Sequence, residues 1–92
     1  MSITVQLPPD LHDFTDGRDT IHVAGDNVGE CFQNLIAKYP QLGQWFGFRS
    51  GELVVDMDLI VTINGQHVYP LKLNIPLKDG DLISMVFVIS GG

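Results

Sequence analysis

The sequence ends Ile89-Ser90-Gly91-Gly92, directly after the hydrophobic run from Leu82 to Ile89. A strand normally closes with turn or polar residues, and a frayed end has no use for a glycine pair. Two glycines remove both side chains beside a terminal carboxyl. The tail then fits a narrow channel and presents a carboxylate that a reactant can approach without hindrance. Ordering such a tail is entropically unfavourable, since Gly loses more backbone freedom than any other residue. At an average usage of about 7%, two glycines in these positions arise by chance roughly once in 200 sequences. The ending alone leaves two readings open: a functional carboxyl at Gly92 with Gly91 keeping the approach to it clear, and a chance pair of glycines.

Other side chains with chemical potential are better explained by folding. Cys31 falls on the apolar stripe of a helix, where a free cysteine behaves as a small buried hydrophobe. His12, His22 and His67 show no metal-ligand spacing among themselves or with Cys31, so no metal site is expected. Asp79 and Asp81 bracket Gly80 as turn residues do. Trp45-Phe46 belongs at a core edge or an interface. No set of nucleophile, base and orienting group is visible, so the chain is not expected to be an enzyme on its own.

Ninety-two residues make one expected domain, 1–92, with a flexible tail over about 89–92. Hydrophobic content of 45% against 17% charged residues is globular composition, not disorder. No apolar run reaches membrane-spanning length, and the N-terminus lacks a signal-like charged and apolar region. A single cysteine fits a reducing compartment, so a cytoplasmic protein is expected. Eleven acids against five bases give a net charge of −6. The bases are scattered singly, which argues against nucleic acid and for a basic protein surface as partner.

The elements that must position the tail are legible in part. Ile3, Val5 and Leu7 alternate with polar residues as a half-buried strand, ended by Pro8-Pro9. Asp10 to Asp19 reads as a turn or loop, and Thr20 to Val23 as the returning strand of a hairpin. Asn27 and Glu30 form a capping-box pattern. Val28, Cys31, Phe32, Leu35, Ile36 and Tyr39 then follow helical spacing until Pro40. Leu42, Trp45 and Phe46 suggest one helical turn, while Gly47 and Ser50-Gly51 suggest a surface excursion. Leu59, Val61 and Ile63 alternate as a third strand, Asn64-Gly65 is a hairpin turn, and His67 to Tyr69 is its return. Pro70 to Asp81 is a crossover. Leu82 to Ile89 is the last strand, apolar enough to lie centrally. The fold class is α+β, one helix across a mixed sheet of about four to five strands.

Three segments carry a family resemblance: the capped helix Asn27 to Leu35, the strand and turn Ile60 to Gly65, and Pro76-Leu-Lys-Asp-Gly-Asp81 one strand before the glycine pair. In combination they resemble the ubiquitin-like β-grasp sulfur carriers of the MoaD/ThiS family. That family includes the molybdopterin synthase small subunit, the thiamine sulfur carrier and the carrier paired with a cysteine synthase. The chain departs from the family at Phe87, Val88 and Ser90, where many members have Pro and Ala.

The resemblance implies a ubiquitin-like β-grasp fold and activation in trans. A ubiquitin-activating-type enzyme, consuming ATP, would adenylate the Gly92 carboxylate. A sulfide equivalent would displace AMP, and the thiocarboxylate would pass sulfur to an accepting synthase in molybdopterin-like cofactor or sulfur amino-acid synthesis. No bound cofactor is implied. In the expected register Ile60, Thr62, Ser84 and Val86 point away from the helix, which makes Ile60 and Val86 a docking patch continued by Val88 and Ser90. Two other classes remain open: a protein modifier joined through Gly92 to lysines, and a β-grasp interaction module with an incidental tail.

Overall fold

A computed structural model describes residues 1–88. Ser90, Gly91 and Gly92 lie outside the described residues. Five strands form the main sheet: β1 (Ser2–Gln6), β2 (Thr20–Ala24), β5 (Leu59–Ile63), β6 (Gln66–His67) and β8 (Leu82–Phe87), in the order β2-β1-β8-β5-β6. β3 (Phe46–Arg49), β4 (Glu52–Val55) and β7 (Leu71–Lys72) make a second sheet, β3-β4-β7. The helix α1 (Val28–Lys38) packs on the core face of the main sheet.

Alternation sets which face each strand buries. Ile3 and Val5 of β1, Leu59 and Val61 of β5, and Ile83 and Met85 of β8 are buried. They meet Val28, Cys31, Phe32 and Leu35 of α1 in one core. Ile63 and Phe87, at the margins of that inward set, are only partly buried. β8 is parallel to β1 and antiparallel to β5, so it is the central strand.

The helix start is closed from three directions. Asn27 Oδ1 accepts from Glu30 N at 2.8 Å. Val28 N donates to Ile75 O and Gly29 N to Leu73 O, at 3.0 and 2.9 Å. Amides that have no partner inside the helix are thereby satisfied. The expected box differs in one bond: Glu30 Oε1 accepts from Asp26 N, one residue before the cap. The α-carbon of Gly25 lies against the same turn, and a Cβ there would sit 2.7 Å from Cys31 N, so the position accepts only glycine.

The structure corrects the reading of the middle of the chain. The surface excursion expected around Gly47 and Ser50-Gly51 is the β3–β4 hairpin. Ser50 and Gly51 take φ of 51° and 77°, the left-handed pair that a two-residue hairpin turn requires. Asn64 and Gly65 do the same at 51° and 84°. The helical turn expected through Phe46 is a 3-10 helix over Pro40–Gln44, and Phe46 instead opens β3, its ring 5.1 Å from that of Phe32. The loop expected at 10–19 begins with a 3-10 helix, Pro9–Phe14, whose Leu11 is fully buried. β1 ends at Gln6 rather than Leu7, the return strand is Gln66–His67 rather than His67 to Tyr69, and β8 ends at Phe87.

One polar clasp ties the start of β8 to the β5–β6 turn. Asn64 Oδ1 accepts from Leu82 N at 2.9 Å while Asn64 Nδ2 donates to Asp81 Oδ1 at 3.0 Å. Asp81 Oδ2 accepts from Lys78 N at 2.7 Å. The backbone amide of Lys78, then the Asn64 amide, hold the Asp81 carboxyl below the ordinary carboxylate range. A depressed folded pKa contributes stability that is present above the unfolded value and fades as pH falls through the folded one. The stability lost in Asp81→Ala, measured by urea unfolding, is therefore expected to be full at neutral pH and to shrink below about pH 4. A loss independent of pH would contradict this assignment.

Candidate functional site

The candidate site starts at the C-terminal end of β8. Val86 stands directly opposite Ile60 in the β5–β8 ladder, and Ser84 opposite Thr62. All four are on the face away from α1, because their neighbours Ile83, Met85, Leu59 and Val61 fill the core. Val86 is 53% exposed and Val88 46%. Ile60 is half-buried. Val88 is held at the sheet end by its N–H, which donates to Asp58 O at 2.7 Å. Three of the four expected docking residues, Ile60, Val86 and Val88, are thus brought together where the chain leaves for residues 89–92.

Polar side chains cover the face toward β1 and β2. Ser84 Oγ donates to Gln6 Oε1 at 3.1 Å, linking β8 to β1. Thr4 Oγ1 and His22 Nδ1 lie 3.4 Å apart on the neighbouring strands. Ile60, Val86 and Val88 thus form an exposed apolar spot on this face.

Two apolar side chains near this spot were not singled out by sequence. Met57 is 92% and Tyr69 85% exposed, and both line a groove of about 450 Å³ that also contains Ile60 and Val54. Met57 and Tyr69 sit in loops, where no periodicity marks them. The groove lies between residues of β4 in the second sheet and of β5 in the main one, with the 67–71 segment lining it too.

The demoted side chains take ordinary places. Cys31 is fully buried under the sheet, and burial pushes its thiol up to about 11. His12 Nε2 lies 3.0 Å from Leu7 O. Trp45 is partly buried with its ring 4.9 Å from Phe14, a core-edge position. Asp79 Oδ1 accepts from Ser2 N at 2.8 Å, a structural bond between the last turn and β1. No helix among the described residues is long and apolar enough to cross a membrane.

This architecture is a ubiquitin-like β-grasp. A family model described as the ThiS family matches residues 5–92, and the chain belongs to that family of ubiquitin-like sulfur carriers. No curated protein matches it. Among solved structures, a chain of the BexX/CysO complex from Amycolatopsis orientalis is similar at 21% identity and a TM-score of 0.80, over 98% of this chain and 99% of that one. The small archaeal modifier protein 1 from Methanosarcina acetivorans is similar at 27% identity and a TM-score of 0.77, over 99% and 96%. A chain of the complex of subunits 1 and 2 of molybdopterin-converting factor from Helicobacter pylori is similar at 21% identity and a TM-score of 0.62, over the full length of both.

A thiol with a raised pKa and no solvent contact is a poor nucleophile. Cys31 in the folded protein is expected to resist iodoacetamide at pH 8 and to react fully once urea unfolds the chain, as read by intact mass. Rapid labelling of the native protein would return Cys31 to the list of reactive groups.

Proposed function

We propose that this chain is a sulfur carrier whose Gly92 carboxylate is the reacting group. The observation that supports the reading best is the family match, which continues through residue 92 and so includes the glycine pair. A free carboxylate resists nucleophilic attack because of its charge. An activating enzyme of the ubiquitin type removes that obstacle: a carboxylate oxygen attacks the α-phosphorus of ATP, pyrophosphate leaves, and an acyl adenylate forms. A sulfide equivalent then adds to the carbonyl carbon and AMP departs with the electron pair of the broken C–O bond. The product is a thiocarboxylate at Gly92, ionised near neutrality and softer than oxygen, held by its carrier until an acceptor takes the sulfur.

Each part of the chain has a task in this scheme. Gly91 and Gly92 leave room around the carbonyl carbon. Ile60, Val86, Val88 and Ser90 form the surface against which the activating enzyme and the sulfur-accepting synthase dock. The domain itself, taken as 1–92, contributes no catalytic group and binds no cofactor; ATP is consumed by the partner. The net charge of −6 favours partners with a basic rim, whose encounter with an acidic carrier is faster than with a neutral one. Scattered bases offer nucleic acid little, and the reaction belongs in the cytoplasm, where the cysteine stays reduced. Two of the similar structures are protein complexes by their own descriptions, which supports a protein partner here. The acceptor is a synthase making a molybdopterin-like cofactor or a sulfur amino acid.

A second reading is favoured by the likeness to the small archaeal modifier protein 1. The same activated Gly92 carboxyl, attacked by a lysine amine in place of sulfide, would give an isopeptide bond. Both readings need the same adenylate and differ in the nucleophile that collects it.

The test is a reconstituted reaction of the purified chain with a ubiquitin-activating-type enzyme, ATP and sulfide, read by intact mass. Wild type is expected to exchange one oxygen for sulfur at its C-terminal peptide. Gly92→Ala is expected to react about a hundredfold more slowly, because a Cβ displaces the carbonyl from its reacting geometry. Equal rates for a folded Gly92→Ala variant would overturn the assignment. Val86→Asp changes an exposed position and should alter stability by no more than about 0.5 kcal/mol. It should nevertheless raise the activating-enzyme concentration needed for half-maximal rate by roughly tenfold, as loss of a desolvated contact does.

A further inference from the structure

The central strand has an open edge near its end. Thr4 N donates to Asp81 O at 2.9 Å, and the parallel register runs from Thr4 beside Leu82 to Gln6 beside Ser84. Every second residue of β1 faces β8, so after Thr4 and Gln6 the next donor falls at position 8. That residue is Pro8, which has no N–H, and β1 turns away there while β8 runs on to Phe87. Asn64 N to Leu82 O and Val88 N to Asp58 O show that the even-numbered backbone groups of β8 point to β5. Those of Met85 and Phe87 therefore point the other way; the Gln6–Ser84 register places the Met85 N–H against Gln6 O, which leaves the Met85 carbonyl and the Phe87 N–H and carbonyl past the end of β1.

They face a groove of about 490 Å³ between Met85–Phe87 on one side and Pro8, Pro9, Asp10 and Asp19 on the other. The far wall is fixed by its own core: Leu11 is fully buried and Thr15, also fully buried, donates through Oγ1 to Arg18 O at 2.8 Å. Asp10 and Asp19 line the groove, and the segment behind them is acidic, with Arg18 its one lysine or arginine. Asp10, Asp13, Asp16 and Asp19 recur at every third residue and all are exposed. None is paired with a basic side chain among the described residues.

An open strand edge is completed by an extended backbone, and an acidic rim by basic side chains. A second copy of this chain, itself at net charge −6, fits poorly. We propose that this groove receives an extended, basic segment of the protein that takes up the tail, adding a short strand to β8 along Met85–Phe87. The inference rests on the carrier reading, in which such a partner must grip the chain just before its reacting end. Backbone pairing at Phe87 sets the direction and register of approach to Gly92, while Val86 on the adjoining face supplies apolar contact. The same rim confers salt dependence, since each aspartate–cation contact is screened in solution.

The test is an NMR titration of the ¹⁵N-labelled full chain with a blocked Lys-Val-Lys-Val-Lys peptide, and with Glu-Val-Glu-Val-Glu as its counterpart. The basic peptide is expected to shift and protect the Phe87 amide, with neighbouring shifts at Met85 and Asp10. The double variant Asp10→Lys, Asp19→Lys should weaken it about tenfold. Shifts centred on Met57 and Tyr69, equal binding of the acidic peptide, or no shift at all would overturn the proposal. The reconstituted sulfur transfer separates the two claims. Wild-type transfer with an unaltered enzyme requirement in the double variant sinks the groove and leaves the carrier reading standing. Peptide docking at Phe87 in a chain that accepts no sulfur does the reverse.

Discussion

Burial of Ile83 and Met85 beneath α1 holds β8 in a single register between a parallel and an antiparallel neighbour. Because the strand period is two, a slip of one residue would expose both and drive Ser84 and Val86 into the core. Everything proposed for the tail depends on that one constraint. It puts Val86 opposite Ile60 on the outer face, aims the Phe87 backbone past the end of β1, and brings the chain to the rim of the sheet at Val88. The Asn64–Asp81 clasp fixes the other end of the same strand. A carrier that must deliver its terminus repeatedly to enzyme sites needs the departure point held, even though the reacting residues themselves carry no side chains.

The division of labour follows from chemistry. A carboxylate can be made reactive by an enzyme in trans, so the carrier has no need of an acid, a base or a metal of its own. What it must offer is a surface that is recognised and a terminus that is unobstructed. The buried thiol of Cys31 fits this economy: desolvation raises its pKa and keeps a competing sulfur nucleophile out of reach. In the proposed scheme the acidic surface would add long-range attraction and the apolar spot at Ile60 and Val86 short-range desolvation.

Much of the fold was legible because its elements obey strong local rules. The six-position apolar stripe and Asn27 cap define α1, and alternation in Ile3 to Leu7 and Leu59 to Ile63 defines two strands with their inward faces. From these the register of β8, and hence the Ile60–Val86 pair, could be anticipated. The second sheet could not. β3 and β4 have four residues each and β7 has two, too short for alternation to register. Their signal is Ser50-Gly51, a hairpin dipeptide with a weaker preference than Asn64-Gly65, and beside Gly47 it reads equally well as a surface excursion. The groove at Met57 and Tyr69 was lost with it, as tertiary placement of loops leaves no periodic trace. The open edge of β8 was half-visible: Pro8-Pro9 announced the end of β1, but only the parallel pairing shows that β8 outlasts it.

The most direct measurement is the intact mass of the chain isolated from its native cells, with the modified fraction mapped to a peptide. The account predicts a fraction heavier by the difference between one sulfur and one oxygen atom, confined to the peptide ending at Gly92. Finding only the unmodified mass, alongside higher-mass conjugates linked through Gly92 to lysines, would contradict sulfur carriage and assign the activated carboxyl to protein modification.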